Sequence, residues 1–386
     1  MIHLHWFLPT AGDSREIAGF GAVAGRRPPS FEYLTLVARA AEDLGFDAVL
    51  TPTGTYCEDS WIATSSLLAA TERLRFLVAF RPGTITPTLA AHMAATFQQL
   101  SGGRVLLNVV SGGDDEEQRR YGDWLGHDER YDRTDEFLTV VRGAWSGTPF
   151  TFTGAHYRVE GAIVSTPPDP VPPIFFGGAS AAAVRVAARQ ADVYLTWGEP
   201  PDMVAERLRS VRDLADAEGR TLGFGIRLHV IARDRAEDAW AEADRLLAAM
   251  DPEVVAESQR RMTASQSVGQ QRMASLHGGD MDRLLVSPNL WAGFGLVRGG
   301  AGTALVGSHE EIADRIAEYH DLGIDHFILS GQPHLEEAFW FGEGVTPLLA
   351  ARGLIDGPVR GWTPGHGVTS GDSLGPRVDA RPGTGR

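Results

Sequence analysis

Eight short apolar segments alternate with amphipathic, helix-like stretches along this chain of 386 residues. Each segment is rich in β-branched or large apolar residues and is followed by a helical stretch, which is the pattern of a parallel α/β fold. The segments cover residues 3–8, 47–53, 75–80, 105–111, 173–177, 192–197, 223–232 and 325–330. Eight such units predict a closed TIM-type (β/α)8 barrel. An open doubly wound sheet is the alternative, although the glycine-rich turn typical of its first strand is missing.

Two long insertions interrupt this alternation, and in barrels of this kind insertions usually extend the catalytic rim. Residues 112–130 are acidic and then aromatic, whereas residues 251–307 begin polar and helical and end in WAGFGLVRGGAGTALVG. The glycine density of that final stretch argues against a helix or a central strand and predicts a mobile lid. Residues 148–164 alternate like a surface hairpin. We expect one barrel domain over residues 1–354 and a disordered tail, rich in glycine and proline, over residues 355–386.

Arginine carries every fixed positive side-chain charge, because the sequence contains no lysine. This excludes Schiff-base aldolases, pyridoxal enzymes and hydrolases that depend on a carbamylated lysine. The single cysteine, Cys57, excludes an internal disulfide and a metal site built from several thiolates. A formal net charge of -15 opposes binding to nucleic acid or to an anionic membrane surface, since both carry negative charge.

The amino terminus does not resemble a secretory signal, because it lacks a basic start and its apolar run ends at Pro9. No apolar run in the sequence approaches the ~18 residues that a membrane-spanning helix needs. We therefore expect a cytoplasmic protein that does not enter a membrane.

Polar residues at the carboxyl ends of the predicted strands are the candidates for chemistry, since barrel enzymes place their catalytic groups there. Arg227 and His229 lie two residues apart on the strand GIRLHVIA, so both side chains face the same way. A cation beside a titratable ring indicates an anion site with an adjacent proton-transfer group. Arg298, in the glycine-rich stretch, could close over the same mouth and complete a two-arginine clamp. The alternatives are a strand-end arginine that reaches solvent, a hydrogen-bonded histidine and a surface arginine.

Other candidates lie at the same rim. Ser180 follows FFGGA at the start of a helix, where free backbone N–H groups form a seat for a cofactor phosphate, although a plain helix cap has the same sequence. Trp197 ends its strand and could line an apolar pocket or fill the core. Cys57 follows the second strand, either as an inert thiol or as a group near oxygen chemistry. The pair His3 and His5 resembles a metal motif but opens its strand instead of ending it, so we predict no metal site.

The chain resembles the alkanesulfonate monooxygenases, a family of the bacterial luciferase-like superfamily, over nearly its whole length up to the tail. Blocks similar to the family's motifs occur in the same order along the sequence. They are HWFLPT, PTGTYCED, LSGGRVLLNVVSGGD, HDERYD, FFGGAS, YLTWGEPP, FGIRLHVI, SVGQQRMASLH, SPNLWAGFGLVRGGAGTALVG and SGQPHLEE. Several ordered blocks are a more specific signal than any single motif.

The resemblance implies a barrel that receives reduced FMN from a separate NAD(P)H-dependent flavin reductase. With O2 it would cleave the C–S bond of an organosulfonate to give sulfite and an aldehyde. The resemblance also implies that the protein is a homodimer or homotetramer. The resemblance also implies that Arg227, His229 and Arg298 hold the sulfonate and a peroxide, and that Cys57 and Trp197 line the pocket. Looser similarity to related flavin barrels implies FMN contacts from Asn108, Glu117, Arg130, Tyr131 and Ser180, with Tyr131 and Ser180 near the phosphate.

Three positions depart from the family pattern. Gln332 stands where the family usually has a catalytic tyrosine, and a carboxamide can donate a hydrogen bond but cannot release a proton near neutral pH. Ala11 replaces a histidine and Ala179 replaces a serine, which removes polar groups from the rim. The substrate could therefore be another small molecule, such as a sulfone or a heterocycle. A deazaflavin-dependent hydride-transfer enzyme and an inactive flavin- or anion-binding protein are the remaining alternatives.

Overall fold

The computed structural model describes residues 1–17 and 27–356. Its strands are β1 (His3–Phe7), β2 (Ala48–Thr51), β3 (Arg75–Phe80), β4 (Val105–Val109), β5 (Phe150–Thr153), β6 (Arg158–Ala162), β7 (Ile174–Gly177), β8 (Val193–Trp197), β9 (Gly223–Arg233), β10 (Leu285–Ser287), β11 (Leu290–Trp291), β12 (Ala304–Ser308) and β13 (His326–Ser330). Its helices are α1 (Phe31–Asp43), α2 (Ser60–Leu67), α3 (Pro87–Ser101), α4 (Asp115–Arg120), α5 (His127–Ala144), α6 (Ala181–Gln190), α7 (Pro201–Ala217), α8 (Ala236–Ala248), α9 (Pro252–Thr263), α10 (Val268–His277), α11 (His309–Asp321) and α12 (His334–Ala351).

Eight parallel strands close into a barrel. Around the ring the order is β1, β2, β3, β4, β7, β8, β9 and β13, and β13 pairs with β1 to complete the circle. β8 also pairs with β9, with Thr196 opposite Ile226, so the ring has no open edge between these two strands. Each of the eight predicted segments overlaps one of these strands, so the predicted TIM-type barrel is confirmed and the open sheet is excluded.

The helices cover the outside of the barrel and pack against its outward-facing side chains in one large apolar core. Helix α5 contributes Phe137 and Val141 to this core. The alternate residues of each strand point into the barrel, where Leu50, Leu77 and Phe175 belong to a second, smaller core. Because the barrel is filled at this level, a ligand has room only at its ends, and the carboxyl end is where barrel enzymes bind substrates.

Histidines fill the amino-terminal end of the barrel. Nε2 of His5 lies 3.0 Å from Nδ1 of His326 on the neighbouring strand. His3 stacks on His326 at 4.7 Å and also approaches Asp47. Burial lowers the pKa of His5 to about 3 and that of His326 to about 2, so both rings are neutral. No group of three histidine, cysteine or acidic residues in the described part of the chain could hold a metal ion.

Strand β9 extends beyond the ring. Its first half pairs with β8, and from His229 onward it pairs with β12, which continues antiparallel into β11 and β10. This small extension stands at the carboxyl end of the barrel. Our prediction that the glycine-rich stretch holds no central strand is wrong for β12, which lies between β11 and β9 in the sheet. The dense glycines end at Gly302, and the following sequence ALVGS is apolar enough to pair with β9 and be buried.

The other insertions follow the sequence more closely. Strands β5 and β6 form the predicted antiparallel hairpin, and α9 and α10 form the polar helical part of residues 251–307. The disorder expected for the tail concerns residues that, from position 357 onward, lie outside the described ones. Within residues 1–17 and 27–356, no helix is both long and apolar enough to cross a membrane.

Candidate active site

Partly exposed side chains line the carboxyl end of the barrel, above its filled interior. Phe7 ends β1, Asn108 lies near the end of β4, Trp197 ends β8, and Arg227 lies on β9. Each is neither fully buried nor fully exposed, and each occupies the alternating position that faces into the barrel. The fold therefore gathers at one mouth residues that are far apart in the sequence.

Arg227 reaches from β9 toward β13 and β1. Its guanidinium donates to the Ser330 hydroxyl at 2.8 Å and to two backbone carbonyl oxygens, and its Cζ lies 5.0 Å from the centre of the Phe7 ring. None of these partners is charged. Burial, together with the charge of Arg298, lowers the pKa of the Arg227 guanidinium to about 9, which leaves it cationic at neutral pH.

His229 uses both of its ring nitrogens inside the protein. Nδ1 lies 2.7 Å from the Ser330 hydroxyl, and Nε2 lies 3.1 Å from the Ala301 carbonyl oxygen. Because a carbonyl can only accept, Nε2 carries the proton, and Ser330 donates to Nδ1 while accepting from Arg227. The ring also stacks on Phe294 with 3.9 Å between the ring centres. Burial and the nearby arginine charges hold the pKa of His229 well below its usual range, so the ring is neutral.

Residues 298–303 form a loop that is docked on the barrel. The Thr303 hydroxyl donates to the Gly198 carbonyl oxygen at 2.6 Å, and a backbone N–H of β9 donates to the Thr303 carbonyl at 2.9 Å. From the other side, Gln259 on α9 donates to two carbonyl oxygens just before the loop, at 2.9 and 2.8 Å. These bonds fix the position from which Arg298 approaches the mouth.

The half-buried Arg298 side chain makes no hydrogen bond or ion pair within the described residues. Burial lowers the pKa of this guanidinium, and the negative potential of Asp13 opposes that shift. Asp13 does not pair with it, because that carboxylate is bonded to His334 and Tyr33. Arg227 and Arg298 thus stand at one mouth without a carboxylate partner, an arrangement that a bound anion would stabilise.

Cys57 and Trp197 both lie at this rim. The Cys57 Sγ atom is 3.5 Å from the Gly54 carbonyl oxygen, and burial raises the pKa of the thiol to about 11, so it is protonated at neutral pH. Trp197 packs against the start of α10, since a Cβ on Gly269 would come within 2.9 Å of the indole ring. The two side chains give the mouth uncharged walls.

A glycine turn after β7 forms a second part of the site. It leads from Gly178 through Ala179 to Ser180, whose hydroxyl accepts from the Ala183 N–H at 3.2 Å and caps α6. A Cβ on Gly178 would lie 2.5 Å from the Ala183 Cβ and 3.2 Å from the Tyr131 hydroxyl, so the turn allows only glycine there. The free N–H groups at the start of α6 and the hydroxyls of Ser180 and Tyr131 can donate to a phosphate, and the glycine turn lets it approach the backbone closely. These residues therefore fit the phosphate of a flavin nucleotide.

The other residues expected at FMN are less directly placed. Asn108 faces the mouth, but Glu117 forms an ion pair with Arg81 at 2.6 Å, and Arg130 is 2% exposed and pairs with Asp115 at 2.9 Å. FMN contacts by these three residues stay predictions. Sequence reasoning missed Arg81, although it follows β3 directly and the strand-end rule could have found it. Its Nε and Nη1 atoms are buried without a partner among the described residues.

Gln332, the main departure from the family pattern, bonds to the loop after β1. Its amide nitrogen donates to the Ser14 carbonyl oxygen at 2.6 Å. Beside it, Nδ1 of His334 lies 2.9 Å from Asp13, and the buried Nε2 has no partner among the described residues. Sequence reasoning missed this pair, although the histidine falls within SGQPHLEE. Ala11, the second departure, is exposed.

Comparison with known proteins places the chain in a family. Residues 2–326 match the model of the luciferase-like monooxygenases. A riboflavin lyase (RcaE), solved with modified FMN and riboflavin, has a TM-score of 0.79 and 22% identity over 92% of this chain and 93% of that one. EDTA monooxygenase (EmoA) from Chelativorans sp. BNC1 has a TM-score of 0.72 and 19% identity over 93% and 96%. An F420-dependent secondary alcohol dehydrogenase has a TM-score of 0.65 and 19% identity over 89% and 98%. Identities this low show the shared fold alone. Because the family model covers most of the sequence, the chain belongs to the luciferase-like monooxygenase family.

Proposed function

We propose that this chain is a two-component monooxygenase that uses reduced FMN and O2 to cleave the C–S bond of an organosulfonate, giving sulfite and an aldehyde. The main support for this proposal is that Arg227 and Arg298 lie at the barrel mouth without a carboxylate partner among the described residues. A sulfonate bears a permanent negative charge on oxygens that accept hydrogen bonds, and guanidinium groups bind such oxyanions well.

In this proposal FMN, when bound, supplies the oxygen-activating chemistry. The turn at Gly178, with Ser180 and Tyr131, holds its phosphate, because this part of the site offers the matching donors. Asn108, which faces the mouth, would contact the cofactor as the family resemblance suggests. Glu117 and Arg130 are proposed as contacts on the resemblance alone.

The protein's own share would be binding and the exclusion of water. Arg227 and Arg298 hold the sulfonate, and neutral His229 keeps Arg227 in place through Ser330. Helix α10 and the loop of residues 298–303 cover the mouth, which lowers its water content and strengthens the attraction between guanidinium and sulfonate. We further propose that a separate NAD(P)H-dependent flavin reductase delivers reduced FMN, and that the protein works as a homodimer or homotetramer.

The test is sulfite release from methane-, pentane- and octanesulfonate in the presence of a flavin reductase, NADH, FMN and O2. We expect sulfite from at least one sulfonate, and a kcat/KM about 10- to 100-fold lower in Arg298→Ala, because a charge-assisted bond to the substrate is lost. Arg260→Ala is the matched control. That arginine lies on α9 in the same insertion, but it is exposed and pairs with Glu257, so its loss should change kcat/KM less than twofold.

Absence of sulfite from all three sulfonates, despite binding of reduced FMN, would contradict the proposal. Oxidised products from a sulfone or a heterocycle would then identify a monooxygenase with another substrate. Gln332, which stands where the family usually has a tyrosine, would be the first residue to examine as the cause of that difference. Turnover without O2 in the presence of reduced deazaflavin would identify a hydride-transfer enzyme instead.

A further inference from the structure

Gln270 lies in the first turn of α10, the helix whose start packs against Trp197 at the mouth. The Ser267 hydroxyl caps this helix and accepts from the Gln270 N–H at 3.3 Å. The neighbouring Gly269 approaches the Trp197 ring so closely that a Cβ there would lie 2.9 Å from it. Gln270 itself is only 7% exposed, although glutamine is usually a surface residue.

One end of the Gln270 side chain is bonded, and the other is free. Its carboxamide oxygen accepts from the Gly300 N–H at 2.8 Å. Because a backbone N–H can only donate, the atom that faces it must be the oxygen, and the free end is the NH2 group. That nitrogen is buried and has no partner among the described residues. A buried donor without an acceptor is unfavourable and calls for an explanation, of which a ligand atom is one.

The bonded end ties Gln270 to the loop that carries Arg298. Gly300 is two residues from Arg298 in the same docked loop, and the next residue, Ala301, accepts from His229 on the strand that carries Arg227. Three elements therefore meet here, and each brings an N–H donor group: β9, the loop of residues 298–303, and α10.

We propose that Gln270 is a substrate-specificity residue, which donates its NH2 group to one oxygen of a tetrahedral oxyanion held by Arg227 and Arg298. This inference rests on the proposed function. A sulfonate points three oxygens along the directions of a tetrahedron, one toward each donor group, whereas the two oxygens of a carboxylate lie in one plane and do not reach the third direction, that of the Gln270 nitrogen. A site that pairs its buried donors with one ligand discriminates against a ligand that lacks the matching acceptor. Gln270 thus selects sulfonates over carboxylates.

The experiment is calorimetric titration of the full-length protein, without flavin, with 1-octanesulfonate and with nonanoate, which has the same eight-carbon chain. The variants are Gln270→Met, which keeps the length and shape of the side chain, and Gln271→Met as the matched control on the exposed side of the same helix. We expect wild type to bind octanesulfonate at least about 10-fold more tightly than nonanoate. Gln270→Met should lose about 10-fold in sulfonate affinity and less than twofold in nonanoate affinity, and Gln271→Met should match wild type.

A purely structural role predicts another result. If Gln270 only fixes the loop through Gly300, Gln270→Met weakens both ligands equally, and the proposal is overturned. Equal wild-type affinities for the two ligands overturn it as well. A wild type that binds neither ligand overturns the anion site and with it the proposed function. A sulfonate preference that depends on Gln270, in a protein that releases no sulfite, would contradict the proposed reaction and leave this assignment standing.

Discussion

Ser330 is a small side chain that decides how Arg227 and His229 work together. It accepts from the guanidinium at 2.8 Å and donates to the imidazole at 2.7 Å, so one hydroxyl joins the two residues. The sequence places Arg227 and His229 on one face of one strand, because their spacing of two is visible in GIRLHVIA. It does not show that the imidazole is neutral, since its pKa depends on burial and on groups about a hundred positions away.

Cys57 provides a test of electrostatics at a single atom. Burial raises the pKa of this thiol from an ordinary value of 9.0 to about 11, so the thiolate fraction at pH 7.5 should be roughly 100-fold lower than in an unfolded chain. We expect iodoacetamide to alkylate the folded protein at least about 100-fold more slowly than the urea-unfolded chain, with a rate that rises until about pH 11. Because the chain has one cysteine, mass spectrometry follows this reaction without ambiguity. Equal rates for folded and unfolded protein would show that the thiol is neither buried nor perturbed.

Among the secondary-structure elements, those of the glycine-rich insertion are the ones that the sequence predicts least well. Its composition predicts a lid without regular structure, but the segment is anchored by Gln259, by Thr303 and by the pairing of β12 with β9. Glycine density reports backbone freedom in the unfolded chain, and it cannot report tertiary bonds that remove this freedom. The strands of the ring were predictable because each is an apolar run of ordinary length between helix signals.

The buried histidines on the paired strands β1 and β13 should make the stability of the barrel sensitive to acid. His5 and His326 are neutral in the folded barrel because burial depresses their pKa values to about 3 and about 2, while histidine in an unfolded chain has a pKa of about 6.5. Below pH 6.5 the unfolded state binds protons that the folded state does not, so stability present above this pH is lost as the pH falls. For the fully buried His5 alone, the loss at pH 5 is about 2 kcal/mol.

Urea denaturation at pH 6.5 to 5 measures this loss. We expect His326→Phe, which keeps a stacked ring without a titrating nitrogen, to reduce the average pH slope of the unfolding free energy by about 1 kcal/mol per pH unit, because an unfolded histidine binds about half a proton at pH 6.5 and nearly one at pH 5. His92→Phe is the matched control, because it makes the same substitution at an exposed position on α3, away from the buried pair. The same slope in wild type and His326→Phe would mean that the buried pair does not resist protonation.

In the whole molecule, the barrel brings both proposed anion sites to one end. The glycine turn after β7 presents Ser180 and Tyr131, and the long strand β9 with its docked loop presents Arg227 and Arg298. The sequence predicts the barrel, its order of elements and the strand-end positions of these residues. It does not predict that Gln270, or the bonded pair of Asp13 and His334, belongs to the candidate site. The sequence does not show which buried donors remain unpaired after folding.

In the proposed complex, one barrel mouth holds a flavin phosphate at the glycine turn and a sulfonate between two arginines. A crystal structure of the protein with FMN and octanesulfonate would show where both anions bind. We predict the phosphate within hydrogen-bonding distance of the Ser180 and Tyr131 hydroxyls, and the sulfonate oxygens within that distance of the Arg227 and Arg298 guanidinium groups. A sulfonate that contacts neither arginine, or a phosphate bound away from the glycine turn, would show that the protein does not form this complex.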